Sequence, residues 1–209
     1  MIISHKYKFI YFKAKKVAGT STEILIGNLC GDQDIVTPIW PPVERIKGAR
    51  NHKGFRNHNT PEYIKNKIGS KIFNSYFKFA TVRNPFDRLV SSFFWGQKRE
   101  GLDKLNKNQC IKEFRKKIKN MKLPAFINCL TVEKNLAIDD YIRYENLEED
   151  TKRICSKWFN MDNFVFPRAK TSQRVHDYHY TEYYDEETKQ IVAEKYAKDI
   201  EYFGYEFGE

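Results

Sequence analysis

The chain has 209 residues, of which 41% are hydrophobic and 15% aromatic, and a formal net charge of +10. Length and apolar content suit one α/β domain over residues 1–209 and exclude a disordered chain, with aromatic rings supplying much of the core volume. The charge favours polyanionic partners such as nucleic acid, anionic membranes, sulfated or phosphorylated polymers and highly charged nucleotides without choosing among them, and the lysine-, asparagine- and isoleucine-rich composition accounts for part of it.

The first expected element is a strand over Tyr7–Phe12, followed by the turn Lys16-Val17-Ala18-Gly19-Thr20-Ser21 and a helix through Leu29 with Gly31 as its C-terminal cap. Asp32 to Asn59, broken by Pro38, Pro41, Pro42, Gly48 and Gly54, reads as a long irregular and therefore functional region. Thr60 is placed to cap a short helix that starts at Pro61 and ends near Gly69. Tyr76–Val82 reads as the second principal strand, and Arg83-Asn84-Pro85 leads from it into a helix through Trp95. Ile111, Phe114 and Ile118 give helical spacing within the charged stretch from Gly96 to Asn120. Asp140–Tyr144 is a third strand, Asn146 caps a helix carrying Ile154, Trp158 and Phe159, and Asp185 opens a final helix that runs to Phe203 before Gly204. The four cysteines, Cys30, Cys110, Cys129 and Cys155, form no CxxC pair, so free buried thiols are expected. No apolar run approaches the roughly 20 residues of a membrane span, and the first residues carry no signal-peptide core, so a soluble, cytoplasmic chain is expected.

Strands alternating with helices through right-handed crossovers imply a central parallel sheet flanked by helices, with ligands outside the carboxyl ends of the strands. The Lys16 to Ser21 turn would aim backbone N–H groups and the helix dipole at one spot, where Lys16 adds a full charge and Thr20, Ser21 and Thr22 add hydroxyls. A phosphate-like group suits that cradle, and a helix start with a nearby exposed lysine is the competing reading. A nucleoside-triphosphate P-loop places its lysine after the last glycine; here the lysine precedes it. The second crossing, Arg83 to Ser91, would open on the same edge, so the pair suits a ligand with two separated anionic groups. No apolar strand ends in an aspartate that would hold Mg²⁺, which fits a transfer without metal.

In their order and spacing, Lys16 to Ser21 and Val82-Arg83-Asn84-Pro85-Phe86-Asp87-Arg88-Leu89-Val90-Ser91-Ser92 are similar to the two cofactor motifs of sulfotransferases that use 3′-phosphoadenosine 5′-phosphosulfate (PAPS). The chain resembles the carbohydrate-type group most, and the likeness extends to the Thr60 to Gly69 helix, Tyr144-Glu145-Asn146-Leu147 and the closing Asp199 to Phe207. The resemblance implies the P-loop NTPase-like sulfotransferase fold, a sulfuryl transfer to an acceptor hydroxyl, of a carbohydrate above all, and 3′,5′-adenosine bisphosphate (PAP) as product. It implies that Lys16, Ala18, Gly19, Thr20, Ser21 and Thr22 hold the 5′-phosphosulfate and that Arg83 and Ser91 hold the 3′-phosphate. Lys16 would stabilise the charge that develops on the departing phosphate. A salt bridge from Arg83 to Asp87 or Glu145 is the alternative use of that guanidinium.

Related carbohydrate-type enzymes often carry a histidine at the position of His58, which makes it the candidate base, with His52, Glu44 and Glu62 as rivals. Lys170 and Arg174 lie where such enzymes have a basic loop over the cofactor, and a solvated charge cluster is the competing reading. Trp40 and Trp95 are candidate sugar platforms, with core packing as the alternative for each. Val17 departs from the threonine often found after the motif lysine. Two other functions remain open on sequence alone: a nucleotide-dependent phosphotransferase on the same fold, and a non-enzymatic polyanion binder. Against a nucleic-acid partner, the chain carries no RNP, KH, zinc-finger or helix-turn-helix signature. Oligomeric state is not legible.

Overall fold

The computed structural model describes residues 1–39, 48–95, 101–161, 164–167 and 178–209. They gather into two units, Met1–Val82 with Phe126–Lys170 and Arg83–Ala125 with Thr171–Glu209. The strands are β1 (Ile2–Ser4), β2 (Phe9–Phe12), β3 (Ile35–Val36), β4 (Phe77–Val82), β5 (Thr131–Val132), β6 (Asn135–Leu136) and β7 (Asp140–Arg143). The helices are α1 (Gly19–Leu29), α2 (Pro61–Ile68), α3 (Ser70–Ser75), α4 (Pro85–Phe93), α5 (Lys107–Ile118), α6 (Phe126–Cys129), α7 (Leu147–Phe159), α8 (Glu186–Lys195) and α9 (Ala197–Phe203).

The first unit is built on a sheet of order β3-β1-β2-β4-β7. β2, β4 and β7 run parallel, with Phe12 beside Ala80 and Val82 beside Arg143. The sheet is nevertheless mixed rather than wholly parallel, because β1 pairs antiparallel with both β2 and β3. Two local causes underlie this departure from the expected sheet. The apolar Met1 to Ile3 run suffices for a short strand, and the chain reverses through residues 5–8, with Lys8 in the left-handed region at φ 56°, so Tyr7 lies in a turn and not in β2.

All four residues of β2 are buried, as a strand covered on both faces requires. Tyr11 and Phe12 point to opposite faces. On one, Phe9, Tyr11, Phe79 and Ile142 pack with Leu25 and Ile26 of α1 and with Ile154, Cys155 and Phe159 of α7. On the other, the ring of Phe12 meets Phe73 of α3 with centroids 6.4 Å apart. Each such fully buried ring contributes about 1.5–3 kcal/mol.

The region expected to be irregular contributes β3, and it closes the end of α1. Arg50 bridges to Val36 through the backbone, and its guanidinium donates to the carbonyls of Cys30 at 2.8 Å and Gly31 at 2.9 Å. A cation at a helix C-terminus complements the dipole, and here it replaces the glycine cap expected at Gly31. The Gly31 N–H instead donates to Asp34 Oδ2 at 2.8 Å. Thr60 caps α2 as expected, accepting from the Tyr63 N–H.

The second unit packs α4, α5, α8 and the 3-10 turn Tyr180–Tyr183 around Phe86, Leu89, Phe93, Phe114 and Val192. Asn84 caps α4, its side chain accepting from the Phe86 N–H at 3.1 Å, with Pro85 in the first helical position. The final helix is not continuous: it breaks at Tyr196 (φ −114°) into α8 and α9. The buried Tyr196 hydroxyl is fixed on the Leu123 carbonyl at 2.7 Å, a tertiary anchor that helical periodicity does not reveal. Trp95 lies beyond α4 and is 49% exposed, outside the core. Cys30, Cys110, Cys129 and Cys155 are free thiols, all but Cys129 buried. Among the described residues no helix is long and apolar enough to cross a membrane.

Candidate functional site

In the first unit, β2 hands over to α1 through a turn with two left-handed residues, Lys16 at φ 67° and Ala18 at φ 56°. Such a conformation in residues other than glycine costs on the order of 1–3 kcal/mol and recurs where backbone N–H groups form an anion-binding concavity. Val17 between them is wholly buried, which fixes the turn to the core and leaves Lys16 half-buried. Ala18 occupies the N-cap of α1 and offers no side-chain oxygen to the first-turn amides, and no acidic residue stands in that turn. The positive end of α1 is therefore not neutralised by its own helix.

Gly19 opens α1 against a wall. A Cβ there would stand 2.9 Å from Lys13 Cγ and 3.3 Å from the Tyr11 hydroxyl, so this position admits no side chain without displacement. The Tyr11 hydroxyl bonds Thr81 Oγ1 at 2.9 Å, and burial pushes its ionisation far above the usual phenol range, so it acts only as a neutral hydroxyl. Ser21 and Thr22 are buried, and the Thr22 side chain faces the Tyr11 hydroxyl.

His58 is joined to the same strand end. Its Nδ1 lies 2.7 Å from the Lys13 carbonyl oxygen. A carbonyl can only accept, so Nδ1 carries the proton and Nε2 keeps the basic lone pair. His58 is an exposed residue, yet partial desolvation lowers its pKa, reinforced by the positive charges of Lys13, the amino terminus and Lys15, while the Lys13 hydrogen bond opposes them. The lowered pKa favours the neutral imidazole, the protonation state a general base requires.

Of the rivals for the base, Glu62 accepts from the Glu133 N–H at 3.4 Å in the β5–β6 turn, and His52 lies half-buried in the loop before α2. Glu44, Trp40, Lys170 and Arg174 lie outside the described residues. In the second unit, Arg83 is buried and forks onto Asp87: Nε donates to Oδ2 at 2.7 Å and Nη2 pairs with the same oxygen. The salt bridge raised as an alternative from the sequence is therefore formed. Ser91 lies half-buried on α4. Among the described residues no group of three or more His, Cys, Asp and Glu side chains is placed to hold a metal ion.

Residues 1–206 match the model of a family described as the sulfotransferase family. The chain belongs to the sulfotransferase family. It is similar to an uncharacterized protein of Archaeoglobus fulgidus, 34% identical over 98 residues that cover 45% of this chain and 77% of that protein. It is also similar to carbohydrate sulfotransferase 11 of Rattus norvegicus and of Mus musculus, each 30% identical over 93 residues, 44% of this chain and 25% of the relative. The match thus spans a quarter of those two proteins. No solved structure matches the chain with statistical significance.

Two residues of this sulfotransferase-family site escaped sequence reasoning. Lys13 lines the Gly19 wall, accepts from His58 through its carbonyl, and pairs through Nζ with Glu23. Glu23 is a wholly buried carboxylate on α1 that also takes the Met1 amino group. The one available signal was a charged residue on the otherwise apolar Ile24-Leu25-Ile26 side of a helix start, since a buried carboxylate demands a cation nearby.

Proposed function

We propose that this chain transfers a sulfuryl group from PAPS to a hydroxyl of a carbohydrate acceptor, on a P-loop-like arrangement of strand, turn and helix. The uncapped, left-handed turn at the start of α1 carries this reading: within a sulfotransferase-family chain it offers backbone donors, a helix dipole and Lys16 to one anion. The first turn also carries the hydroxyls of Thr20, Ser21 and Thr22 beside those backbone donors, which supports the fit.

PAPS, when bound, supplies the sulfuryl group and leaves as PAP. Lys16 stabilises the negative charge that gathers on the departing phosphate oxygen. His58 Nε2 takes the proton of the acceptor hydroxyl as that oxygen bonds to sulfur. Arg83 and Ser91, by the family resemblance, hold the 3′-phosphate; the planar guanidinium can engage a phosphate as well as the carboxylate of Asp87. A carbohydrate acceptor is favoured by the two carbohydrate sulfotransferases that resemble the chain, and the exposed Trp95 ring suits the apolar face of a sugar.

Equilibrium binding in EDTA tests the donor. Micromolar or tighter binding of PAP without Mg²⁺, weakened in Lys16→Ala, is the expected result. Mg²⁺-dependent ATP binding with none of PAP would overturn the reading in favour of a phosphotransferase. An acceptor screen with sulfur-labelled PAPS, with Lys16→Ala as the blank, then tests the acceptor class.

A further inference from the structure

His58 sits on a loop, yet a base must hold one nitrogen toward its substrate within a few tenths of an ångström to be efficient. Two clamps achieve this, one on the ring and one on the backbone beside it. The ring clamp is the Lys13 carbonyl, 2.7 Å from Nδ1. Lys13 is held in turn by its side chain, whose Nζ pairs with the wholly buried Glu23 of α1. The backbone clamp is Asn57. Its Oδ1 accepts from Thr37 Oγ1 at 2.6 Å and its Nδ2 donates to the Pro38 carbonyl at 2.7 Å, tying the residue before His58 to the chain that leaves β3.

We propose that Glu23, through Lys13, and Asn57 are positioning residues that lock His58 as the Nδ1–H tautomer with Nε2 directed to the acceptor hydroxyl. The assignment rests on the sulfuryl-transfer reading for its catalytic meaning. The same lysine that orients the base also walls the anion cradle, because its Cγ lies 2.9 Å from the place a Gly19 Cβ would take. Base and cradle are therefore registered on one residue, and a disturbance of Lys13 moves both. Asn57 acts on the base alone.

The discriminating experiment uses the full chain labelled with ¹⁵N-histidine. Free imidazole prefers the opposite tautomer, so a His58 spectrum of the Nδ1–H form is a distinctive expected result. Asn57→Ala should turn that signal into a mixture of tautomers and lower kcat by about 10- to 100-fold, with the KM for PAPS unchanged. Lys13→Met should change the tautomer as well, and should also raise the KM for PAPS. Glu23→Gln alone leaves the Lys13 ammonium without its carboxylate and destabilises the fold, so the Lys13→Met/Glu23→Gln double variant, which removes both members of the Lys13 pair, accompanies it. The double variant should match Lys13→Met in tautomer and kinetics. A wild-type His58 in the Nε2–H form, or an Asn57→Ala chain with unchanged tautomer and kcat, overturns the proposal. A chain that keeps the Nδ1–H tautomer and loses it in the variants, yet transfers no sulfuryl group, overturns the functional reading and still supports the clamps.

Discussion

The two strand-to-helix turns share one plan and solve the helix N-terminus in opposite ways. At α1 the N-cap is an alanine in a left-handed conformation, with no acid in the first turn. At α4 the Asn84 side chain caps the helix, Pro85 removes one N–H that would lack a partner, and Asp87 supplies a negative charge in the first turn. The first turn therefore carries neither a side-chain cap nor a first-turn acid, whereas the second has both and sets Arg83 against Asp87. On the proposed reading, backbone would dominate anion recognition at the first turn and a guanidinium oriented by a carboxylate at the second. Substitutions should accordingly affect catalysis at the first turn and the balance of stability and ligand binding at the second.

The largest effects are expected from the two groups proposed to act on the reacting atoms. His58→Gln should lower kcat by about 10²- to 10⁴-fold, and Lys16→Ala by about 10²- to 10³-fold, each with a folded chain by circular dichroism. Because partial desolvation and the charges of Lys13, the amino terminus and Lys15 lower the His58 pKa, the imidazole is expected to be mostly neutral at pH values where a free histidine is half-protonated. The acid limb of kcat/KM should thus lie below the ordinary histidine value, with activity rising with pH through it and level at neutrality; His58→Gln should abolish the limb. The same sign governs stability: the contribution of His58 is present above the ordinary histidine pKa and is lost as pH falls through the lowered one, because the unfolded chain takes up the proton first. A limb above the ordinary value would exclude His58 as the base.

The elements that positioned these residues were legible where a local pattern coincides with a tertiary demand. β2 and β4 read as strands because they are short, largely apolar runs followed by turn residues, and Thr60 and Asp185 read as caps because capping is local. β1 and β3 were not legible, since three and two residues give no periodicity and their pairing is set by each other. Within the site, Lys16, Gly19 and His58 could be named from motif and resemblance. The Lys13–Glu23 pair and the Asn57 clamp could not, because their partners lie in different elements and sequence spacing carries no trace of a contact to a backbone carbonyl.

An intermediate effect tests the second turn. Asp87→Asn keeps a hydrogen-bonding group beside Arg83 but removes the charge, leaving a buried guanidinium with a weaker partner at a cost of about 3 kcal/mol. If Arg83 also holds the 3′-phosphate, the nucleotide restores the missing negative charge. PAP should then raise the melting temperature of Asp87→Asn more than that of the parent, while adenosine 5′-phosphosulfate, which lacks the 3′-phosphate, should not. Equal shifts for the two nucleotides would make Arg83 a purely structural partner of Asp87 and would leave the first turn as the only supported anion site.

The smallest expected loss sharpens the contrast from the other side. Gly19→Ala adds one methyl group against Lys13 Cγ at 2.9 Å and the Tyr11 hydroxyl at 3.3 Å. A lysine free in solvent would swing away at little cost, but Lys13 is tied at both ends, by Glu23 through Nζ and by His58 through its carbonyl. The displacement should therefore be shared between cradle and base. Overpacking of this kind costs about 1–3 kcal/mol, readable in a urea titration, and kcat should fall together with PAP affinity. Loss of affinity with an unchanged kcat would show that the wall serves the nucleotide alone. Unchanged stability would show that Lys13 yields, and that its two ties are too weak to register the base on the cradle.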